Sequence, residues 1–333
     1  MKALTYQQAN SLAEFAIKLT EVPNPTMRNK DLLVKVMAFS VNPGDTKIRS
    51  SKSTFEGGHI ILGWEFSGVV SKVGSQTEGF EIGDEVYGVG DVLRDGNYAE
   101  FVAVDYRVVA HKPISLTFYE AAAIPLTALT ALGAILDTNF EPYSNVKNIL
   151  IIGGAGGTGS MAIQYLKAMT DFTIIATASD EKSIAWVKEL GADYVVDHFG
   201  DVQHQLSEIG LTSIDQIFST SHTTGHMTWI LNVLRPHGHL SMIESPEALC
   251  QINPSTKAIS IHWQMIFTRI LEEYYPEMQS KFLSQLSKLI DLGRIKTIVK
   301  TRLSGLSVET IKRAHTLIET GQNIGKIVIE NIG

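Results

Sequence analysis

The chain has 333 residues, 44% hydrophobic and 19% charged, which at roughly 150 residues per domain means about two domains with apolar surface enough for real cores. Its 28 basic against 35 acidic residues leave a formal charge of −7 with no basic block, so nucleic-acid binding has no electrostatic footprint. The single cysteine, Cys250, excludes a disulfide framework and any multi-cysteine zinc or iron–sulfur site; its expected role is that of a small buried apolar residue.

Residues 1–120 read as β-rich. Segments 32–39, 68–74 and 98–104 are short runs with full or partial alternation, and Gly83 turns the chain into a strand start at 83–88. Short strands with frequent turns argue for a compact, barrel-like β domain. No period of 20–50 residues marks a repeat. The longest apolar run, 121–136, contains Pro125, Thr127 and Thr130 and is shorter than the roughly 18 residues of a membrane helix, so it reads as a buried helix.

The period then changes. Apolar strands at 146–152, 172–177 and 194–196 alternate with helices at 160–169 and 181–190, the second stopped by Gly191, and further strands follow at 214–218 and 239–243. This alternation predicts a doubly wound α/β domain with a parallel sheet. The tail offers helices at 278–292 and 308–320 and strands at 297–301 and 326–330, so the C-terminus is expected to return to the first domain. The expected division is 1–124 plus 266–333 and 125–265. No apolar leader follows Met1 and Lys2, which leads us to expect a cytoplasmic protein.

Between the strand at 146–152 and the next helix lies the run Gly153 to Gly159. Within it, Gly154, Gly156 and Gly159 carry the dinucleotide spacing, with Ala155, Gly157 and Thr158 between them. The first glycine is expected to permit the tight turn, the second the approach of a pyrophosphate, and the third close helix–strand packing. The helix N-terminus adds roughly half a positive charge facing that group. An NAD site ordinarily ends the second strand on an acid. Here that strand ends in Thr177, Ala178 and Ser179, followed by Asp180 and, two residues later, Lys182. Ser179 and Lys182 suit a 2′-phosphate, predicting NADPH; Ser179 and Asp180 also suit the cap of the following helix.

At this point the chain resembles the medium-chain dehydrogenase/reductase superfamily. The segments are similar to its motifs in order: 63–68 (GWEFSG), 83–86 (GDEV), 99–101 (AEF), 123–127 (AIPLT), 153–159 followed by Gln164, 190–193 (LGAD), 234–238 (LRPHG) and 324–326 (IGK). The resemblance implies a Rossmann domain and a GroES-like domain completed by the C-terminus. Zinc alcohol dehydrogenases of this superfamily carry a cysteine where Asn42 stands, a histidine at Trp64, a cysteine or acid near Leu126, and four cysteines around 88–105. Glu65 survives, but those ligands do not, so no metal is expected and a zinc-type label would describe ancestry. Residues 41–45 (VNPGD) look instead like the quinone oxidoreductase branch.

That branch implies hydride transfer from NADPH to a quinone or α,β-unsaturated carbonyl, with Asn42, Asp45 and Thr127 near the nicotinamide and Lys326 among the cofactor contacts. Asn42 is expected to touch cofactor or substrate, and Thr127 the ribose or carboxamide. Asp45 could equally be a turn acid capping the segment after it. No side chain stands out as a proton donor. An alcohol or aldehyde oxidoreductase of the same fold, and a cofactor-binding regulatory or structural protein, remain alternatives. The resemblance also implies a homodimer joined through the α/β domain, with strands between His239 and Ile261 at the contact. Among decoys, His222 and His226 lack an obvious third ligand, and the spacing of Tyr143 and Lys147 arises by chance.

Overall fold

The computed structural model describes residues 1–136, 141–244, 257–321 and 323–331; Cys250 lies outside them. The chain divides into two compact units, Met1–Leu126 with Phe267–Gly333, and Thr127–Ile266.

The first unit is built on Asp31–Val41, an eleven-residue strand buried along nearly its whole length. Both edges of this strand are paired. Glu65–Val73 and Phe101–Asp105 run antiparallel to its first part, and Lys326–Glu330 runs antiparallel to its last four residues. Glu85–Val89 and Val109–His111 extend the sheet on one side, and Val299–Ser304, parallel to Lys326–Glu330, closes the other. The C-terminal return predicted from the strand at 326–330 is therefore observed. Its register sets Ile327 opposite Val41, which brings Lys326 beside Asn42. A smaller sheet joins Lys18–Glu21, Lys2–Tyr6 and Ile60–Ile61.

One helix here escaped the sequence reading. Pro43–Ser51 has no apolar stripe; it buries Asp45, Thr46 and Arg49 instead. It starts on Pro43, whose fixed φ suits a first helical position, and carries Asp45 in its first turn and Arg49 in its last, both favourable to the helix dipole. It packs on Val308–Glu319.

The second unit is a six-stranded parallel sheet in the order Tyr194–Val196, Thr173–Thr177, Asn148–Ile152, Ile214–Ser219, Leu234–Met242, Ser260–Trp263. Asn148–Ile152 and Thr173–Thr177 are almost wholly buried, as strands covered on both faces must be. The strand order reverses at Asn148–Ile152, and ligands of such sheets bind beyond the carboxyl ends at that reversal. The apolar stretch Phe118–Ile135 is long enough by composition to cross a membrane, but 72% of it is buried inside the protein. It forms two helices, Phe118–Ala121 and Pro125–Ile135, in line with the buried-helix reading.

Candidate active site

The glycine run joins Asn148–Ile152 to the helix Gly157–Met169 at the strand-order reversal. The left-handed turn falls on Gly153 (φ 76°), one residue earlier than the spacing suggested. Gly154 is required for a different reason: a Cβ there would lie 2.8 Å from that of Ala176 on the neighbouring strand. Gly159 packs on the loop itself, where a Cβ would meet the Gly153 carbonyl at 2.4 Å. Gly156 is the informative one. Its nearest protein atom would be 3.5 Å from a Cβ, so the fold itself imposes no glycine there. It is also the N-cap of Gly157–Met169 and supplies no side chain to cap the first helical N–H groups.

The adjacent strand ends nearby. The Gly153 N–H donates to Thr177 Oγ1 at 3.0 Å. Asp180 caps the helix Glu181–Glu189: Oδ1 accepts from the N–H groups of Lys182 and Ser183 at 3.0 and 3.1 Å, and Oδ2 from Ser183 Oγ at 2.6 Å. The Ser183 hydroxyl and amide hold its carboxyl below the ordinary aspartate range. Capping thus belongs to Asp180, while Ser179 and Lys182 stand exposed.

In the first unit Asn42 and Lys326 meet on the acid of the GWEFSG segment. Glu65 is fully buried at the start of its strand. Its Oε1 accepts the Leu126 N–H at 2.8 Å. Its Oε2 accepts from Lys326 Nζ at 2.8 Å, from Asn42 Nδ2 at 3.2 Å and from the Ser40 hydroxyl. Lys326 Nζ also donates to Asn42 Oδ1 at 2.5 Å, so the carboxylate and the ammonium together fix which way the Asn42 amide points. Asp45 lies one turn on, and its Oδ2 accepts the Asn42 N–H at 2.8 Å and Tyr98 Oη–H at 2.9 Å. Burial pushes Asp45 up to about 7 against the pull of both hydrogen bonds. Thr127 is buried at the start of the second unit. Two groups of expected residues are therefore brought together: Asn42, Asp45 and Lys326 in one unit, and the glycine run with Thr177–Asp180 in the other.

These residues do not fit a catalytic zinc, which takes three protein ligands and an open position. Both Glu65 oxygens are engaged, one of them by a cation already. Trp64 buries its indole against Phe267, with Nε1 unpartnered, and Leu126 offers only a backbone N–H. Among the described residues no three His, Cys, Asp or Glu side chains are grouped to hold a metal. His222 and His226 are no exception: His226 Nδ1 accepts from Trp229 Nε1 at 3.2 Å.

Residues 28–114 match the alcohol dehydrogenase GroES-like domain, and 157–281 match the zinc-binding dehydrogenase family. The structure of a candidate zinc-dependent alcohol dehydrogenase from Rhizobium etli is 38% identical, with a TM-score of 0.92, covering 100% of this chain and 98% of that one. A quinone oxidoreductase from Coxiella burnetii is 27% identical with a TM-score of 0.78, covering 100% and 99%. The 2-methylene-furan-3-one reductase of Solanum lycopersicum is 28% identical across 100% of this chain and 79% of its own length.

Proposed function

This chain belongs to the medium-chain dehydrogenase/reductase superfamily, and within it we propose an NADPH-dependent reductase that delivers hydride to a quinone or an α,β-unsaturated carbonyl without zinc. The observation that carries this reading is the Glu65 carboxylate, both oxygens of which are already engaged, by Lys326, Asn42, Ser40 and the Leu126 N–H. The relatives that reduce quinones or an exocyclic enone by name support the acceptor class.

The glycine run fits a dinucleotide: Gly156 leaves the space a Cβ would fill, and the N–H groups from Gly157 to Gly159 face a pyrophosphate. Asp180 is turned into its own helix, which disfavours it as the partner of a ribose 2′-hydroxyl, whereas the exposed Ser179 hydroxyl and Lys182 ammonium suit a 2′-phosphate. Bound there, NADPH supplies the hydride. Thr127 holds its ribose or carboxamide, and Asn42, held by Lys326 and Glu65, orients cofactor or substrate; solvent supplies the proton. Two copies pair through the edge strand Ser260–Trp263, whose four residues are all exposed, Ile261 at 40% and Trp263 at 48%.

The test is oxidation of NADPH and NADH by metal-assayed protein against a panel of quinones, enals and aldehydes, with and without chelator. Turnover of NADPH with quinones or enals, indifferent to chelation, is expected. Activity confined to alcohols or aldehydes and lost with about one zinc per chain would overturn it.

A further inference from the structure

The helices Pro43–Ser51 and Val308–Glu319 enclose a chain of polar groups that leads from Arg49 to Asn42. Arg49, only 1% exposed, donates Nε to the Asn10 carbonyl at 3.1 Å, Nη1 to His315 Nδ1 at 2.8 Å and Nη2 to Glu319 at 2.5 Å. Arginine has no acceptor, so His315 Nδ1 must accept and the ring hydrogen must sit on Nε2. That nitrogen lies 3.5 Å from Tyr98 Oη, whose own hydrogen goes to Asp45. Asp45 in turn receives the Asn42 backbone N–H. Asn42 stands at the N-cap of Pro43–Ser51, and its amide is held by Lys326 and Glu65. Every member is buried except Glu319, whose side chain is 31% exposed.

Groups of this kind are costly to bury, and a satisfied network of them fixes geometry. Because an arginine stands between the partly exposed Glu319 and His315, the chain cannot carry protons from solvent to Asp45. What it can do is fix orientation. We propose that Tyr98 and His315 are positioning residues for the reaction: through Asp45 they hold the Asn42 backbone, and so aim the Asn42 amide. The role of that amide toward cofactor and substrate rests on the reductase reading; the manner in which it is held rests on the hydrogen bonds alone.

The titratable and charged groups facing Asp45 are Tyr98, Lys326 and Glu65; those facing His315 are Arg49, Tyr98 and, through Arg49, Glu319. The Tyr98 hydrogen bond favours the ionised Asp45 that binds the Asn42 N–H. Tyr98→Phe removes that bond and keeps the ring.

The Asp45 carboxyl carbon, assigned by its loss in Asp45→Asn, is titrated by carbon-13 NMR in cofactor-free protein, and the pH profiles of kcat and KM for NADPH oxidation are recorded alongside. In Tyr98→Phe the titration is expected to move up by about one pH unit, the size of one hydrogen bond to a charged group. The acid limb of kcat moves with it, while KM for NADPH changes little. His315→Gln, which leaves the tyrosine in place, moves the same midpoint in the same direction by less. A folded Tyr98→Phe protein with both the titration and the limb unmoved, its kcat lowered evenly at every pH, overturns the proposal. Should no acceptor be reduced, the NMR titration still decides how Asp45 is held, so the two readings fail separately.

Discussion

Replacing Lys326 by methionine removes the cation from a fully buried carboxylate while nearly preserving volume. The Lys326 side chain is 5% exposed and that of Glu65 0%, so water cannot take over the lost charge. Breaking such a pair from one side costs about 3–5 kcal/mol. Glu65 would keep its bonds from Ser40, Asn42 and the Leu126 N–H, which favours the low end, while Asn42 Oδ1 loses its donor, worth about 1 kcal/mol more. A loss of about 4 kcal/mol is the working figure. Urea unfolding of Lys326→Met against wild type reads it. Glu65→Gln added to Lys326→Met removes the stranded charge and should recover about half. A single variant that loses less than about 1 kcal/mol, or a double variant less stable than the single, refutes the reasoning.

His315 is pushed down to about 3 by burial and Arg49, so its contribution to stability is full above its ordinary range and is lost as pH falls; Asp45, pushed up to about 7 chiefly by burial, contributes at low pH and loses it as pH rises. Between about pH 4 and about pH 6.5 the stability of Asp45→Asn relative to wild type should therefore rise with pH, and that of His315→Gln should fall, each by about 1.4 kcal/mol per pH unit; slopes of the same sign in urea unfolding sink both assignments. Lys182→Ala should weaken NADPH roughly tenfold or more and spare NADH, by calorimetry; equal losses would make the lysine structural. Ile261→Lys with Trp263→Lys should turn a dimer into a monomer by light scattering. Ile259, which packs against the core, is the wrong position for that test, and a dimer that survives the pair of lysines places the contact elsewhere.

The α/β unit was legible because Asn148–Ile152 and Thr173–Thr177 are short, nearly continuous apolar runs, and the glycine run falls between the first of them and a helix. Its individual glycines were less so: the spacing put the turn on Gly154, but the left-handed residue is Gly153, and only the neighbouring strand explains Gly154. In the first unit, Lys2–Tyr6 and Lys18–Glu21 are too short and mixed to show a period, and Pro43–Ser51 buries charge rather than an apolar stripe. Asn42, Asp45, Lys326 and Glu65 all fall in motifs, but that Glu65 joins Asn42 to Lys326 could not be read from them. Glu65 and Lys326 are 261 positions apart, and Tyr98 and His315 are 217 apart, distances over which no local pattern speaks. The available signal was a lone acid between Trp64 and Phe66 at the head of a buried strand, and a lone lysine heading the last one.

The central claim is hydride delivery to an electron-poor carbon by a protein that needs no metal. It is tested most directly by giving chelator-treated, zinc-free protein NADPH deuterated at the transferable position together with an enal, and locating the label by mass spectrometry and NMR. One deuterium at the β-carbon of a saturated aldehyde is expected. Deuterium at the carbonyl carbon of an allylic alcohol, or transfer only after zinc is restored, would contradict it.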